Sequence, residues 1–338
     1  MKFQQVRTAA RLSQWLQLCF TAIVFTACAL LIGSNAQAQP YPNKPIRFVV
    51  PYAAGSSSDS VARLMGPRLT QILGQQVVID NKGGGGAIIG TQFVAQSPAD
   101  GYTLLLGTGG THAINKYLFK SLPYDPQTSF TPVARMAIQP SVFVVSGKFP
   151  FKSVPELVAY AKANPGKLSY GSIGIGSTVH LSGELFNSEA GTKIVHVPYK
   201  SAGQAVSGLL AGDIAMMFYP YTAVAQHIQS GALKAFATTG VSRASYLPNV
   251  PTMVELGYPD FTLSSWLGVY APANLPPPIV EALRQAIQQV LTEPTMVQVL
   301  QQIGTEVYYA GPEEFAQFTR SEITRFKKIV EISGATAD

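Results

Sequence analysis

The stretch Ile46-Arg47-Phe48-Val49-Val50-Pro51-Tyr52-Ala53-Ala54-Gly55-Ser56-Ser57-Ser58-Asp59 decides the fold. A short run of branched and aromatic residues breaks at a proline, passes through a small polar loop containing glycine, and enters a segment of different period. Past the loop, Val61, Leu64, Met65, Leu69, Ile72 and Leu73 recur at three- and four-residue spacing, which predicts a helix with Pro67 as a kink. Strand, glycine turn and helix therefore follow one another. Val77-Val78-Ile79 reads as the next strand, and Gly83 to Gly86 leads into a second helix through Ile89 and Phe93-Val94. Asp100-Gly101 then turns into a strand over Tyr102–Leu106. Alternation of this kind predicts a parallel α/β sheet.

Working outward, the plan repeats. After an extended stretch at Ser141–Val145 come a helix over Val154–Ala163, the turn Asn164-Pro165-Gly166 and a strand at Leu168–Tyr170. Gly171-Ser172-Ile173-Gly174-Ile175-Gly176-Ser177-Thr178 then opens a helix over Val179–Asn187. Strands at Ile194–Val197, Ile214–Phe218 and Lys234–Thr238, with a helix near Ala205–Leu210, complete a second unit. The chain returns through Ser264–Ala271 to a helix over Ile279–Leu291 and another near Pro312–Ile332. The reading is a two-lobed α/β clamshell with two crossover strands. Lobe 1 takes residues 39–138 and 268–338, lobe 2 takes 139–267, and the crossings near Gln139 and Trp266 act as hinges. No short-period repeat or low-complexity segment contradicts it.

The chain has 338 residues, 47% hydrophobic and 12% charged, which is enough apolar content for a core and too little charge for disorder. Lys2, Arg7 and Arg11 precede the apolar run Leu16–Ile32, and Ala36-Gln37-Ala38 follows it. This is the pattern of an export signal over residues 1–38, cut before Gln39, and it implies a periplasmic protein. The run is nearly long enough to anchor in a bilayer, and Cys28 after Phe25-Thr26-Ala27 faintly resembles an acylation site; the small-x-small pattern and the apolar residues beyond Cys28 favour the later cut. Cys19 and Cys28 both fall inside this signal, so the mature chain holds neither thiol nor disulfide. Its loss leaves 21 cations against 18 anions, a net charge of +3 in place of +6. No nucleic-acid footprint exists at that charge, whereas a small anion suits it.

Each serine-glycine loop sits where a strand ends and a helix begins. Free N–H groups and the helix dipole favour an anion there, so each lobe supplies one seat. A helix N-terminus contributes about 0.3–1 kcal/mol to a nearby negative charge, and hydrogen bonds to a charged group add roughly 1.5–3 kcal/mol each. Two facing seats hold a carboxylate without any arginine. Ser57, Ser58, Asp59 and Ser177 read equally well as plain helix caps. Enzyme and nucleotide templates are missing: no Gly-x-Ser-x-Gly, no Gly-x-Gly-x-x-Gly, no Gly-Lys-Ser/Thr. His112, His180, His196 and His227 are scattered, and the i, i+4 pair His180 and Glu184 is too few ligands for a metal. No cofactor is expected. Tyr52, Tyr199, Tyr219, Tyr221 and Trp266 either line a cleft or pack. A competing reading, an exported serine-dependent esterase or lyase, rests only on Ser177 and His180 being three residues apart, with no orienting group or oxyanion template.

The chain resembles the periplasmic solute-binding proteins of tripartite tricarboxylate transporters, the Bug family. The resemblance lies in Tyr41-Pro42-Asn43-Lys44-Pro45-Ile46-Arg47, Pro51-Tyr52-Ala53-Ala54-Gly55 with Asp59, Pro98-Ala99-Asp100-Gly101-Tyr102-Thr103-Leu104, Leu122-Pro123-Tyr124-Asp125 and Phe130-Thr131-Pro132-Val133. It continues through Tyr170-Gly171-Ser172, Gly176-Ser177, His180-Leu181, Val197-Pro198-Tyr199-Lys200, Leu209-Leu210-Ala211-Gly212, Val250-Pro251-Thr252 and Ala271-Pro272. It implies an α/β clamshell of the two-lobed periplasmic-binding-protein type (type II-like), noncatalytic and monomeric, that captures a small carboxylate and delivers it to a membrane permease. It implies ligand contacts from Tyr52, Ala54, Ser57, Ser58, Asp59, Thr111 and His112 in the first lobe, and from Ser172, Ser177, Thr178 and Tyr199 in the second. Two departures stand out. Ser56-Ser57 replaces a common Gly-Gly, and Tyr219 stands where many relatives carry Asp. The second removes a partner for an ammonium group and adds an aromatic face, which points to an aromatic or aliphatic dicarboxylate rather than an amino acid.

Overall fold

The computed structural model describes residues 41–337, and the export signal expected over 1–38 lies outside them. Strand β1 (Ile46–Val50) leads into α1 (Ser57–Leu73), which runs through Pro67 and closes on Gly74 in the left-handed conformation. Then come β2 (Val77–Asn81), α2 (Ile88–Ala95), β3 (Thr103–Thr108), a π turn at Gly110–Ile114, α3 (Asn115–Leu118) and β4 (Phe130–Gln139). The chain crosses at Pro140 into β5 (Ser141–Ser146), α4 (Val154–Ala163), β6 (Ser169–Ser172), α5 (Thr178–Ala190), β7 (Val195–Pro198), α6 (Ala202–Ala211), β8 (Met216–Pro220), α7 (Tyr221–Gln229) and β9 (Leu233–Thr238). It returns as β10 (Ser265–Pro272), α8 (Pro277–Thr292), α9 (Pro294–Gln302), β11 (Glu306–Ala310) and α10 (Pro312–Ser333).

Two sheets result, in the orders β11-β4-β10-β3-β1-β2 and β7-β6-β8-β5-β9. They are mixed rather than parallel. β1 runs parallel to β2 and β3, and β6 to β7 and β8, as strand–helix alternation demands. β10, however, is antiparallel to β3 and β4, and β5 is antiparallel to β8 and β9. The cause is the double crossing. A local βα unit ends its strand at the cleft, whereas a strand arriving from the other sheet starts there and must run away from it.

The crossings lie side by side. Ser141 N–H donates to Thr239 Oγ1 and Thr239 N–H to Ser141 O, both at 2.9 Å. Thr239 Oγ1 donates to Leu263 O at 2.9 Å, and Ser265 is paired with Gln139. α10 fastens both sheets from one side. Its Thr319 hydroxyl meets that of Tyr270 at 2.7 Å and its Glu322 accepts from the Trp266 indole at 3.2 Å. Further along, Phe326, Ile329 and Val330 join the core of the second sheet with Phe143, Phe186 and Phe218. Gly183 shows why α5 lies so close to its sheet: a Cβ there would stand 2.1 Å from Tyr170 Cε2. No helix among the described residues is long and apolar enough to cross a membrane.

Candidate functional site

The carboxyl ends of β3, β4 and β8 and the starts of β5 and β10 converge on one cavity of about 570 Å³, lined among others by Thr108, Gln139, Tyr219, Ser141 and Ser265. Ligand clefts in α/β folds form at strand carboxyl ends for this reason: helices begin there. Two do so here. At α1 the Ser56 hydroxyl caps the helix by accepting the Asp59 N–H at 3.2 Å, and Ser56 O takes the Ser60 N–H. The N–H groups of Ser57 and Ser58 therefore have no intrahelical acceptor, and both residues line the cavity. At α5 the Ser177 hydroxyl accepts the His180 N–H at 3.2 Å and Ser177 O takes that of Leu181. Thr178 and Val179 are left in the same position, again on the cavity wall.

The caps are thus Ser56 and Ser177, and Ser57, Ser58 and Thr178 are first-turn residues. Of the residues named from the sequence, Tyr52, Ser57, Ser58, Ser177, Thr178 and Tyr219 line the cavity. Burial raises the pKa of the Tyr52 phenol, opposed by its 2.7 Å bond with Thr108 Oγ1, and burial likewise raises that of Tyr219. Both stay protonated and can donate.

The remaining six are not among the lining residues. Ala54 sits exposed on the loop before Ser56. Asp59 is buried, with Oδ2 accepting from the Gly55 N–H at 2.8 Å and Arg63 Nε at 2.9 Å. Burial alone would raise its pKa, and these bonds hold it below the usual carboxylate range. Arg63 continues to Asn81 Oδ1, and Asn81 Nδ2 donates to Tyr52 O, so Asp59 braces the loop carrying Tyr52. Thr111 Oγ1 bonds the Nδ1 of His112 at 2.8 Å, and the His112 ring stacks on Tyr270 at 3.7 Å. Burial drives the His112 pKa down to about 3, so the ring is neutral. The Ser172 hydroxyl meets His196 Nε2 at 2.7 Å. Tyr199 packs over Gly208, where a Cβ would lie 2.3 Å from its hydroxyl.

Sequence reasoning missed Thr108, Asn115, Gln139, Ser141 and Ser265, which supply polar groups, and Ile114, Leu118, Phe119, Ile173 and Ile175, which supply an apolar flank. The strand-end rule applied to the two crossings would have found Gln139, Ser141 and Ser265. None of the lining residues is Asp, Glu, Lys, Arg or His. Among the described residues no group of three or more metal-ligating side chains converges.

A model of the tripartite tricarboxylate transporter family receptor matches residues 61–335. The chain belongs to that family. Protein BugT of Bordetella pertussis is 37% identical over 305 residues, covering 90% of this chain and 94% of BugT. Among solved structures, the periplasmic binding protein BugD is 34% identical with a TM-score of 0.74, over 88% of this chain and 100% of its own. An R. palustris protein with adipate is 34% identical with a TM-score of 0.78, over 88% and 99%. This tripartite tricarboxylate transporter receptor thus shares the two-lobed fold of the periplasmic binding proteins, and the cavity between its sheets is the place where a solute would meet both.

Proposed function

We propose that this receptor captures a small dicarboxylate lacking an ammonium group, aliphatic or aromatic, and hands it to a membrane permease of the tripartite tricarboxylate type without transforming it. The observation carrying this reading is that two helix N-termini open on one cavity that no charged side chain lines among the described residues. Anion selectivity then comes from N–H groups and hydroxyls. An α-amino acid would leave its ammonium without a carboxylate partner, while the apolar flank suits a hydrocarbon spacer. Adipate on a relative of the same fold supports that chemistry. Catalysis by Ser177 is disfavoured by its bonds: its hydroxyl donates to Gly174 O at 2.7 Å and accepts from the His180 main chain. We place the mature protein, from Gln39, in the periplasm as a monomer.

Titration calorimetry with adipate, succinate, malate, terephthalate, benzoate, aspartate and glutamate tests the reading, with mass spectrometry of the recovered ligand. Tightest binding by a dicarboxylate, recovered unchanged, is the expected result. Tightest binding by aspartate or glutamate, or a converted ligand, overturns it.

A further inference from the structure

The two anion seats are built to one plan and differ in the side chain that reaches back to the glycine. In the first, Gly55 (φ +81°) precedes the cap Ser56. Ser56 Oγ accepts the Asp59 N–H at 3.2 Å, and Asp59 Oδ2 reaches back to accept the Gly55 N–H at 2.8 Å. In the second, Gly176 (φ +77°) precedes the cap Ser177. Ser177 Oγ accepts the His180 N–H at 3.2 Å, and His180 Nδ1 reaches back to accept the Gly176 N–H at 3.1 Å. Each is a reciprocal cap extended by one residue. The sequence motif is Gly-Ser-x-x-Asp in one lobe and Gly-Ser-x-x-His in the other.

We propose that His180 is a positioning residue for the bound anion. Its neutral imidazole holds Gly176, and with it the Ser177–Val179 turn, in the binding geometry, and protonation of Nδ1 releases that seat. The proposal rests on the capture of a carboxylate argued above. An Nδ1 that accepts from an N–H has its proton on Nε2, and Nε2 lies 4.0 Å from Glu184 Oε1 on the same helix. From β6, the Tyr170 hydroxyl donates to Glu184 Oε1 at 2.5 Å. From β7, the His196 ring stacks on His180 at 4.1 Å. β8 and α10 bring apolar Met216, Phe218, Phe326, Ile329 and Val330 to the same core.

These surroundings favour the neutral ring. Burial lowers the His180 pKa, with the Glu184 charge opposing, and burial with the His180 charge sets His196 at about 4. The brace is therefore intact above the depressed His180 pKa and lost as pH falls through it, when one N–H would face another. In the first seat the bonds from Arg63 and Gly55 hold the Asp59 carboxylate below the usual range against its burial.

The test uses the full mature chain, with adipate as probe, from pH 7.5 to 4.5. Three proteins are compared: wild type, His180→Phe, which keeps a ring and removes the acceptor, and His180→Asn, which keeps a neutral acceptor in place of Nδ1 and does not titrate. Loss of one hydrogen bond should weaken adipate about three- to tenfold in His180→Phe at pH 7.5, with melting curves separating this from loss of fold. His180→Asn should recover most of the affinity lost in His180→Phe, and both variants should lack the extra acid-side loss shown by wild type. The titration of adipate itself is common to all three and cancels. Imidazole nitrogen NMR and Gly176 amide exchange read the brace without ligand; the expected result is an Nε2–H tautomer and amide protection that acid removes in wild type but not in His180→Asn. Parallel pH profiles, or an Nδ1–H tautomer, overturn the proposal. A wild type that binds no acid while Gly176 stays protected overturns the capture reading and, with it, the positioning role.

Discussion

A single methyl at Gly176 should separate the cost of the loop from the cost of crowding the opposite cavity wall. Its φ of +77° lies in the left-handed region, where alanine costs about 1–2 kcal/mol. That cost is local to the backbone and should appear in thermal stability whether or not ligand is present. The second cost crosses the cavity wall. A Cβ on Gly176 would stand 2.4 Å from Leu118 Cδ2 and 2.5 Å from Cδ1. Gly176 opens α5 of the second sheet, whereas Leu118 belongs to α3, which follows β3 of the first. Overpacking of this kind costs about 1–3 kcal/mol, and it falls on a contact between two residues that line the cavity. Gly176→Ala should therefore weaken adipate about five- to 150-fold beyond any stability effect. Leu118→Ala removes both clashing methyls, so the double variant should recover binding while keeping the lowered melting temperature. Calorimetry and thermal melts on the four proteins form a double-mutant cycle in which coupling above about 0.5 kcal/mol is significant. Undiminished binding by Gly176→Ala, or a double variant no better than the single, would refute the reasoning.

Two further outcomes are expected. Tyr219→Asp puts a carboxylate at a position 4% exposed on a cavity wall that lacks Lys and Arg; at about 5 Å and an effective dielectric near 20 the repulsion of an anion is about 3 kcal/mol, so adipate should weaken by roughly two orders of magnitude, and tighter binding on calorimetry would sink the argument. N-terminal sequencing of the exported protein should begin Gln39-Pro40-Tyr41, and a chain beginning at acylated Cys28 would show that the cut lies earlier.

The two seats were legible in the sequence as strand–glycine–helix junctions, with Ser177 among the caps and Ser56 missed, because such junctions depend on neighbours in the chain. The 3.6-residue apolar period of α1 and the branched run of β1 needed no distant partner, while the returning acceptors of Gly-Ser-x-x-Asp and Gly-Ser-x-x-His emerged only with the structure. The family was legible for the same reason, being carried by short contiguous motifs. What the sequence left open was whatever depends on residues far apart. Its alternation of strands and helices predicts parallel sheets, yet β5 and β10 run antiparallel because they enter their sheets from the cleft. Asp59, Thr111, His112, Ser172 and Tyr199 have side chains fit for a ligand, and packing against Arg63, Tyr270, His196 and Gly208 keeps them out of the cavity lining. Gln139, Ser141 and Ser265 carry no motif and reach the cavity only because two crossing strands pair there. Caps and amphipathic periods are settled within a few residues by hydrogen bonds and spacing; which polar side chain faces the cavity is settled by how separate elements pack on one another.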